Sequence, residues 1–138
     1  MSGLAFFDAN VLLHTDNLSA PGKKARATAL FADHLRTGRA VISLQVLQEY
    51  FSVATRKLGM SAADAQRKVE IMAQAHVVCF EACDVIAAIE LHRLSGISFW
   101  DALIVHAARS AGAGVLYSED LASGGVIGSV RIKDPFTT

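Results

Sequence analysis

Leu4-Ala5-Phe6-Phe7-Asp8 is the stretch on which the fold turns. Four apolar residues run uninterrupted and stop at an acid. So short an apolar run predicts a strand buried on both faces, the habit of parallel sheets covered by helices. The same signal recurs outward along the chain. Ala40-Val41-Ile42, Val77-Val78-Cys79-Phe80 and Val115-Leu116-Tyr117 predict three more strands, and Val130-Arg131-Ile132 a fifth that Pro135 stops. Between them the apolar spacing turns helical. Residues 11–18 predict a short helix or loop. Pro21-Gly22 opens a helix to Arg36, ended by Gly38. Ser43 caps a helix that reaches Leu58 and stops at Gly59. Ser61 and Asp64 have the form of a capping box for a helix to about Ala75. Asp84 caps a helix to Leu94, closed by Gly96. Ser98 and Asp101 repeat the capping-box form for a helix to Ala111. Gly124-Gly125 marks a loop before the last strand. Strands alternating with helices predict an α/β fold with parallel strands joined by helical crossovers, as a single domain over residues 1–138.

Composition supports a packed domain. At 138 residues and 52% hydrophobic content, such a chain buries roughly two-thirds of its unfolded surface. The 19% charged content argues against disorder. Two cysteines, Cys79 and Cys83, cannot alone supply four zinc ligands or a disulfide framework. The N-terminus lacks a basic segment, and no run of about 20 apolar residues occurs, so a cytoplasmic protein without membrane contact is expected. A formal net charge of zero conceals an asymmetry. Residues 1–69 hold nine Lys/Arg against five Asp/Glu, and residues 70–138 four against eight. A basic face beside an acidic pocket fits that distribution.

Four acids stand apart from the solvated remainder. Asp8 follows the first strand with no spacer, which puts it at the carboxyl edge of a parallel sheet, where α/β folds bind ligands. Asp120 lies three residues beyond Tyr117, at another strand exit. Asp101 starts a helix and can face the same edge. In the helix from Ser43, residues Val46, Leu47, Tyr50, Phe51, Val53, Ala54 and Leu58 share one apolar arc, and Glu49 lies at its border, partly buried. Taken singly, each acid has a plainer reading: Asp101 as a helix-capping acid, Asp8 as a turn residue bonded to Asn10, Glu49 paired with Arg56 or Lys57, Asp120 as a loop acid. Gathered at one edge they would repel one another, and a divalent cation would relieve that repulsion. An all-oxygen donor set suits Mg²⁺ or Mn²⁺ rather than zinc. Such an ion meets phosphate oxygens and can lower the pKa of a water.

These residues resemble the motifs of the PIN-domain family. Phe7-Asp8-Ala9-Asn10-Val11-Leu12-Leu13 is similar to its opening motif. Gln48-Glu49-Tyr50-Phe51 is similar to the second, and Ile97-Ser98-Phe99-Trp100-Asp101-Ala102-Leu103-Ile104 to the third. Leu116-Tyr117-Ser118-Glu119-Asp120-Leu121 is similar to the fourth, and Asp134-Pro135-Phe136 resembles the usual ending. The resemblance spans nearly the whole chain and is strongest to the VapC type. It implies a PIN-like three-layer α/β/α fold around a central, mainly parallel sheet of four to five short strands. It also implies an Mg²⁺-dependent endoribonuclease, the toxin of a toxin–antitoxin pair, acting on RNA, bound by an antitoxin and homodimeric. The carried-over catalytic acids are Asp8, Glu49, Asp101 and Asp120, with Asp8, Asp101 and Asp120 as metal ligands and Asn10 and Ser118 in support. Glu119 takes the variable position of the fourth motif.

Other readings fit less well. A haloacid-dehalogenase-type phosphotransferase needs an acid where Asn10 stands. A phosphoacceptor receiver needs an Asp after the third strand, where the chain has Phe80-Glu81, although Lys133 is suggestive. A catalytically silent RNA- or protein-binding domain would not need the four acids. His14, His34, His76, His92 and His106 lack paired spacing and are expected to be surface or core residues. Phe99 and Trp100 are expected to pack the helix start rather than stack on bases. Lys23, Lys24, Arg36, Arg39, Arg56 and Lys57 are candidates for RNA contact, and residues 43–75 for a dimer interface.

Overall fold

The computed structural model describes residues 3–121 and 124–137. Six helices surround a six-stranded sheet, with one 3-10 turn at His14–Asp16. The strands are β1 (Ala5–Phe7), β2 (Ala40–Ser43), β3 (His76–Val78), β4 (Val115–Tyr117), β5 (Val126–Ile127) and β6 (Val130–Lys133). The helices are α1 (Ala9–Leu13), α2 (Pro21–Arg36), α3 (Leu44–Arg56), α4 (Ala62–Met72), α5 (Ala82–Ser95) and α6 (Phe99–Ser110). The sheet order is β3-β2-β1-β4-β6-β5. Every pairing is parallel except that of β5 with β6. The expected three-layer, mainly parallel α/β/α architecture is therefore present.

The opening apolar run forms β1, at the middle of the sheet, and all three of its residues are buried. Phe6 and Phe7 are fully inaccessible, and burying an aromatic side chain of this size is worth roughly 1.5–3 kcal/mol. Phe7 meets Phe31 of α2 edge-on, with ring centroids 5.1 Å apart. Helices α1 to α4 pack upon one another, whereas α5 packs on α6, and α6 lies against β2, β4 and β6. Helix α6 is buried continuously from Ala102 to Ala108, which is why its sequence lacks a polar face.

Several boundaries differ from the sequence reading, each for a local reason. Strand β5 is an addition to the five expected strands. It is two residues long, and the positive backbone angles of Gly128 and Ser129 turn it back on β6. Strand β3 ends at Val78, short of Phe80, and α4 ends at Met72, short of Ala75. Helix α3 ends at Arg56, with Lys57 as its C-cap. The N-cap of α5 is Glu81, and Asp84, the third residue of the helix, is its reciprocal partner in a capping box. The cap expected at Asp84 is therefore supplied by Glu81. Cys79 and Cys83 are free and exposed. Among the described residues no helix is long and apolar enough to cross a membrane.

Candidate active site

The register between β1 and β4 builds the centre of the site. Phe7 lies opposite Tyr117, so the next residues, Asp8 and Ser118, leave the sheet side by side. The Asp8 backbone N–H donates to the Tyr117 carbonyl at 3.0 Å, extending the ladder by one rung. Asp8 then caps α1, accepting from the Ala9 N–H at 2.8 Å. The Ser118 hydroxyl, with no exposed surface, donates to Asp8 Oδ2 at 2.9 Å. Asn10 binds both sides of the seam. Its amide nitrogen donates to Ser118 Oγ (3.2 Å) and Asp8 Oδ2 (3.5 Å), and its Oδ1 accepts from the Glu119 N–H (3.1 Å). The Asp120 N–H donates to Ser118 Oγ at 3.3 Å. Asp8 is thus a helix cap within a fixed network, not a turn residue.

A cavity of about 330 Å³ opens above this seam. It is lined by Asp8, Asn10, Glu49, Asp101 and Asp120, together with Leu13, Gln45, Val53, Lys57, Trp100 and others. All four acids singled out in the sequence therefore share one cavity, with Asn10 on its wall and Ser118 bonded to its floor. Helix periodicity explains the convergence. Gln45, Glu49, Val53 and Lys57 recur every four residues, which places them on one stripe of α3. Asp101 and Ile104 are three apart on α6. Ser98 fixes the start of that helix by accepting from the Asp101 N–H at 3.1 Å.

Two expectations are corrected here. Glu49 is exposed rather than partly buried, and Gln45 Nε2 donates to its Oε1 at 2.8 Å. The buried line of α3 is Val46, Tyr50 and Ala54. Phe51 and Leu58, counted in the apolar arc, are each 38% exposed, so the true core face is narrower and Glu49 falls outside it. Trp100 meets Phe99 at the helix start but leaves most of its ring uncovered. It is 65% exposed and lies on the cavity wall.

The electrostatics of the cavity are unbalanced. Asp8 is 7% exposed. Burial raises its pKa to about 6 against the lowering effect of Ser118 and the Ala9 N–H, and the charges of Glu49 and Asp120 raise it further. Among the described residues Lys57 is the one cation lining it. The carboxylates of Asp101 and Asp120 have no hydrogen-bond partner among the described residues. The candidate metal-binding groups on its wall are carboxylates and amides, and among the described residues no histidine or cysteine lines it. That set matches Mg²⁺ or Mn²⁺ in chemistry. Among the described residues no three His, Cys, Asp or Glu side chains close on one point as a ready shell. The acids ring a space rather than a point, which suits an ion that keeps several waters.

The neighbouring Glu119 faces elsewhere. It accepts from His14 Nε2 at 2.6 Å and pairs with Lys23 Nζ at 2.5 Å. Burial would push its carboxyl up, but these two partners hold it below its ordinary value. His106 is buried, with Nε2 at 3.0 Å from Asp84 and Nδ1 accepting from Arg109 Nε at 3.0 Å. It is a structural histidine bridging α5 and α6. Of the basic candidates, Lys23 serves Glu119, Arg36 and Arg39 pair with Asp33, and Arg56 donates to Ser52. Glu81, after the third strand, is used as a helix cap and lies outside the cavity. The receiver arrangement is therefore not built.

The sequence matches the PIN domain family over residues 5–122. The chain belongs to that family. No curated protein sequence is detectably similar to it. Among solved structures, it is similar to VapC20 of Mycobacterium tuberculosis, a sarcin–ricin-loop-cleaving toxin. That match has 24% identity and a TM-score of 0.67, covering 84% of this chain and 89% of the other. A toxin–antitoxin complex from Klebsiella pneumoniae superposes at a TM-score of 0.72 with 16% identity, covering 97% and 99%. DNA-bound VapBC from Salmonella typhimurium gives 0.66 with 20% identity, covering 96% and 98%.

Proposed function

We propose that this PIN domain is a divalent-metal-dependent endoribonuclease and the cytoplasmic toxin of a toxin–antitoxin pair, folded as a single domain over residues 1–138. The observation that carries the reading is the cavity at the exits of β1 and β4, with four carboxylates and a single lysine. The fold shared with the toxin–antitoxin structures supports it. Asp8, Asp101 and Asp120 are the residues that would hold Mg²⁺ or Mn²⁺, with Glu49 beside them. When bound, the ion supplies charge that offsets the phosphate and lowers the pKa of water. Ser118 and the Ala9 N–H fix the direction of the Asp8 carboxylate, and Asn10 ties that carboxylate to the loop carrying Asp120. An acid of the quartet orients the attacking water, and Lys57 adds attraction for the phosphate that weakens with salt. No histidine lines the cavity, so no imidazole is placed to activate a 2′-hydroxyl. Hydrolysis should leave a 5′-phosphate and a 3′-hydroxyl.

The test is incubation of the purified protein with end-labelled RNA in Mg²⁺ and in EDTA, followed by analysis of the ends. Metal-dependent cutting that leaves 5′-phosphates is expected. Cutting that persists in EDTA and leaves 2′,3′-cyclic phosphates overturns the reading. The same reading includes a homodimer and an antitoxin that covers the toxin. Leu44, Phe51, Leu58 and Ile71 keep large apolar surface exposed on and beside α3 and α4, within the expected 43–75 interface. Light scattering that gives a monomer at high concentration, unchanged by antitoxin, counts against both partners.

A further inference from the structure

We propose that Trp100 is a stacking platform for one unpaired base of the substrate RNA. The inference rests on the ribonuclease reading and deepens it. Trp100 is the second residue of α6 and precedes Asp101 directly. The seven residues from Ala102 to Ala108 are buried, yet the indole is 65% exposed. So large an apolar surface left in water is unfavourable unless something covers it in use. The indole is also held in place. Phe99 meets it with ring centroids 5.2 Å apart and planes at 61°, an edge-to-face contact that orients the ring.

Location decides what covers it. Trp100 lines the same cavity as Asp8, Asp101, Asp120 and Lys57. An aromatic face, a cation and a phosphate-directed acidic site are therefore presented together. That combination is the one by which proteins hold single-stranded nucleic acid: the ring takes a base and the cation takes the backbone. A base inside a duplex already stacks on its neighbours and is not free to reach the ring. The surface on α3 and α4 that suits a protein partner contains no acid of the quartet other than Glu49. Trp100 belongs instead to the wall beside Asp101.

The chain contains one tryptophan, so fluorescence excited beyond the tyrosine absorption reports this ring alone. The experiment titrates the full-length protein, in EDTA to keep the RNA intact, with a single-stranded oligoribonucleotide, with the same sequence as a duplex, and with inorganic polyphosphate. Anisotropy of a labelled oligoribonucleotide runs in parallel. Single strands should quench the indole saturably, and polyphosphate should not. Trp100→Ala should weaken single-strand binding roughly tenfold or more, and Trp100→Phe by much less. Saturable binding without a fluorescence change, or equal affinity in Trp100→Ala, overturns the proposal. So does a Trp100→Ala protein altered only in self-association, which would place the ring in a protein interface. A flat anisotropy curve also overturns it. The ribonuclease reading is judged separately, by cleavage of the same oligoribonucleotide in Mg²⁺.

Discussion

Glu119 and Asp120 are adjacent in the chain and belong to opposite electrostatic regions. On the Glu119 side, His14 and Lys23 close on one carboxylate, and Phe136 packs on the His14 ring at 4.9 Å and under the Lys23 ammonium at 5.3 Å. On the Asp120 side, four carboxylates share a cavity with Lys57 alone. The first region is complete within the protein, and its acid is held below its ordinary pKa. The second is left short of positive charge, and burial drives its most enclosed acid up. Acids that serve the fold here have partners supplied by the chain. The acids of the cavity share a single lysine among them.

The comparison is broken most decisively at Asp101. Asp101→Asn should lower RNA cleavage at least about 10²–10³-fold, the scale of removing one preorganised electrostatic group. RNA affinity and the circular dichroism spectrum should survive. Loss of the folded spectrum would instead make Asp101 mainly a helix-capping residue.

A smaller effect of opposite sense is expected at Asp8. Its folded-state pKa is raised, to about 6, so the folded protein binds this proton more tightly than the unfolded chain. The associated stability is present below the unfolded value, near 4, and is lost as pH rises through about 6. Asp8→Asn cannot ionise. In EDTA it should be more stable than the parent at pH 8, by up to about 3 kcal/mol, with the difference shrinking towards pH 4. Urea titrations at the two pH values measure this, and equal differences at both would refute it. Mg²⁺ should stabilise the parent and not the variant.

Glu119→Gln sharpens the contrast from the other side. Its folded pKa is lowered, so its contribution is present above the unfolded value and is lost as pH falls through the folded one. The substitution should cost about 1 kcal/mol at neutral pH, less at high salt, as a partly screened pair does. A gain in stability would mean that Glu119 belongs with the cavity acids. Smallest of all, Arg67→Ala removes an exposed i,i+3 pair with Asp64 and should change stability by less than about 0.5 kcal/mol. Thermal denaturation checks that limit.

Much of this was legible in the chain because the signals were local. Asp8, Asp101 and Asp120 sit directly after an apolar run, at the third position of a Ser98-capped helix and three residues past a strand, and all three line the cavity. Glu49 was found but its exposure was misjudged. A helical arc drawn from hydrophobicity includes Phe51 and Leu58, which are apolar without being core. The four-residue spacing of Gln45, Glu49, Val53 and Lys57 was the better guide, because it marks a stripe whatever the chemistry. Trp100 was misread for the same reason, since hydrophobicity was taken for burial. Long-range pairs left no trace. Lys23 and Glu119 are 96 residues apart and Asp84 and His106 are 22 apart, and no local pattern announces either. Strand β5 escaped because two residues flanked by glycine carry no period.

The seam between β1 and β4 also has a consequence in time. Asp8 and the hydroxyl that orients it are separated by 110 residues. A growing chain presents Asp8 and Glu49 early, while Asp101, Ser118 and Asp120 have yet to be translated. At the usual pace of synthesis that interval is roughly 5–20 s. Until β4 slots in beside β1, the N-terminal acids border no cavity. The order of the motifs along the polypeptide therefore delays assembly of the cavity until nearly the whole chain has been made.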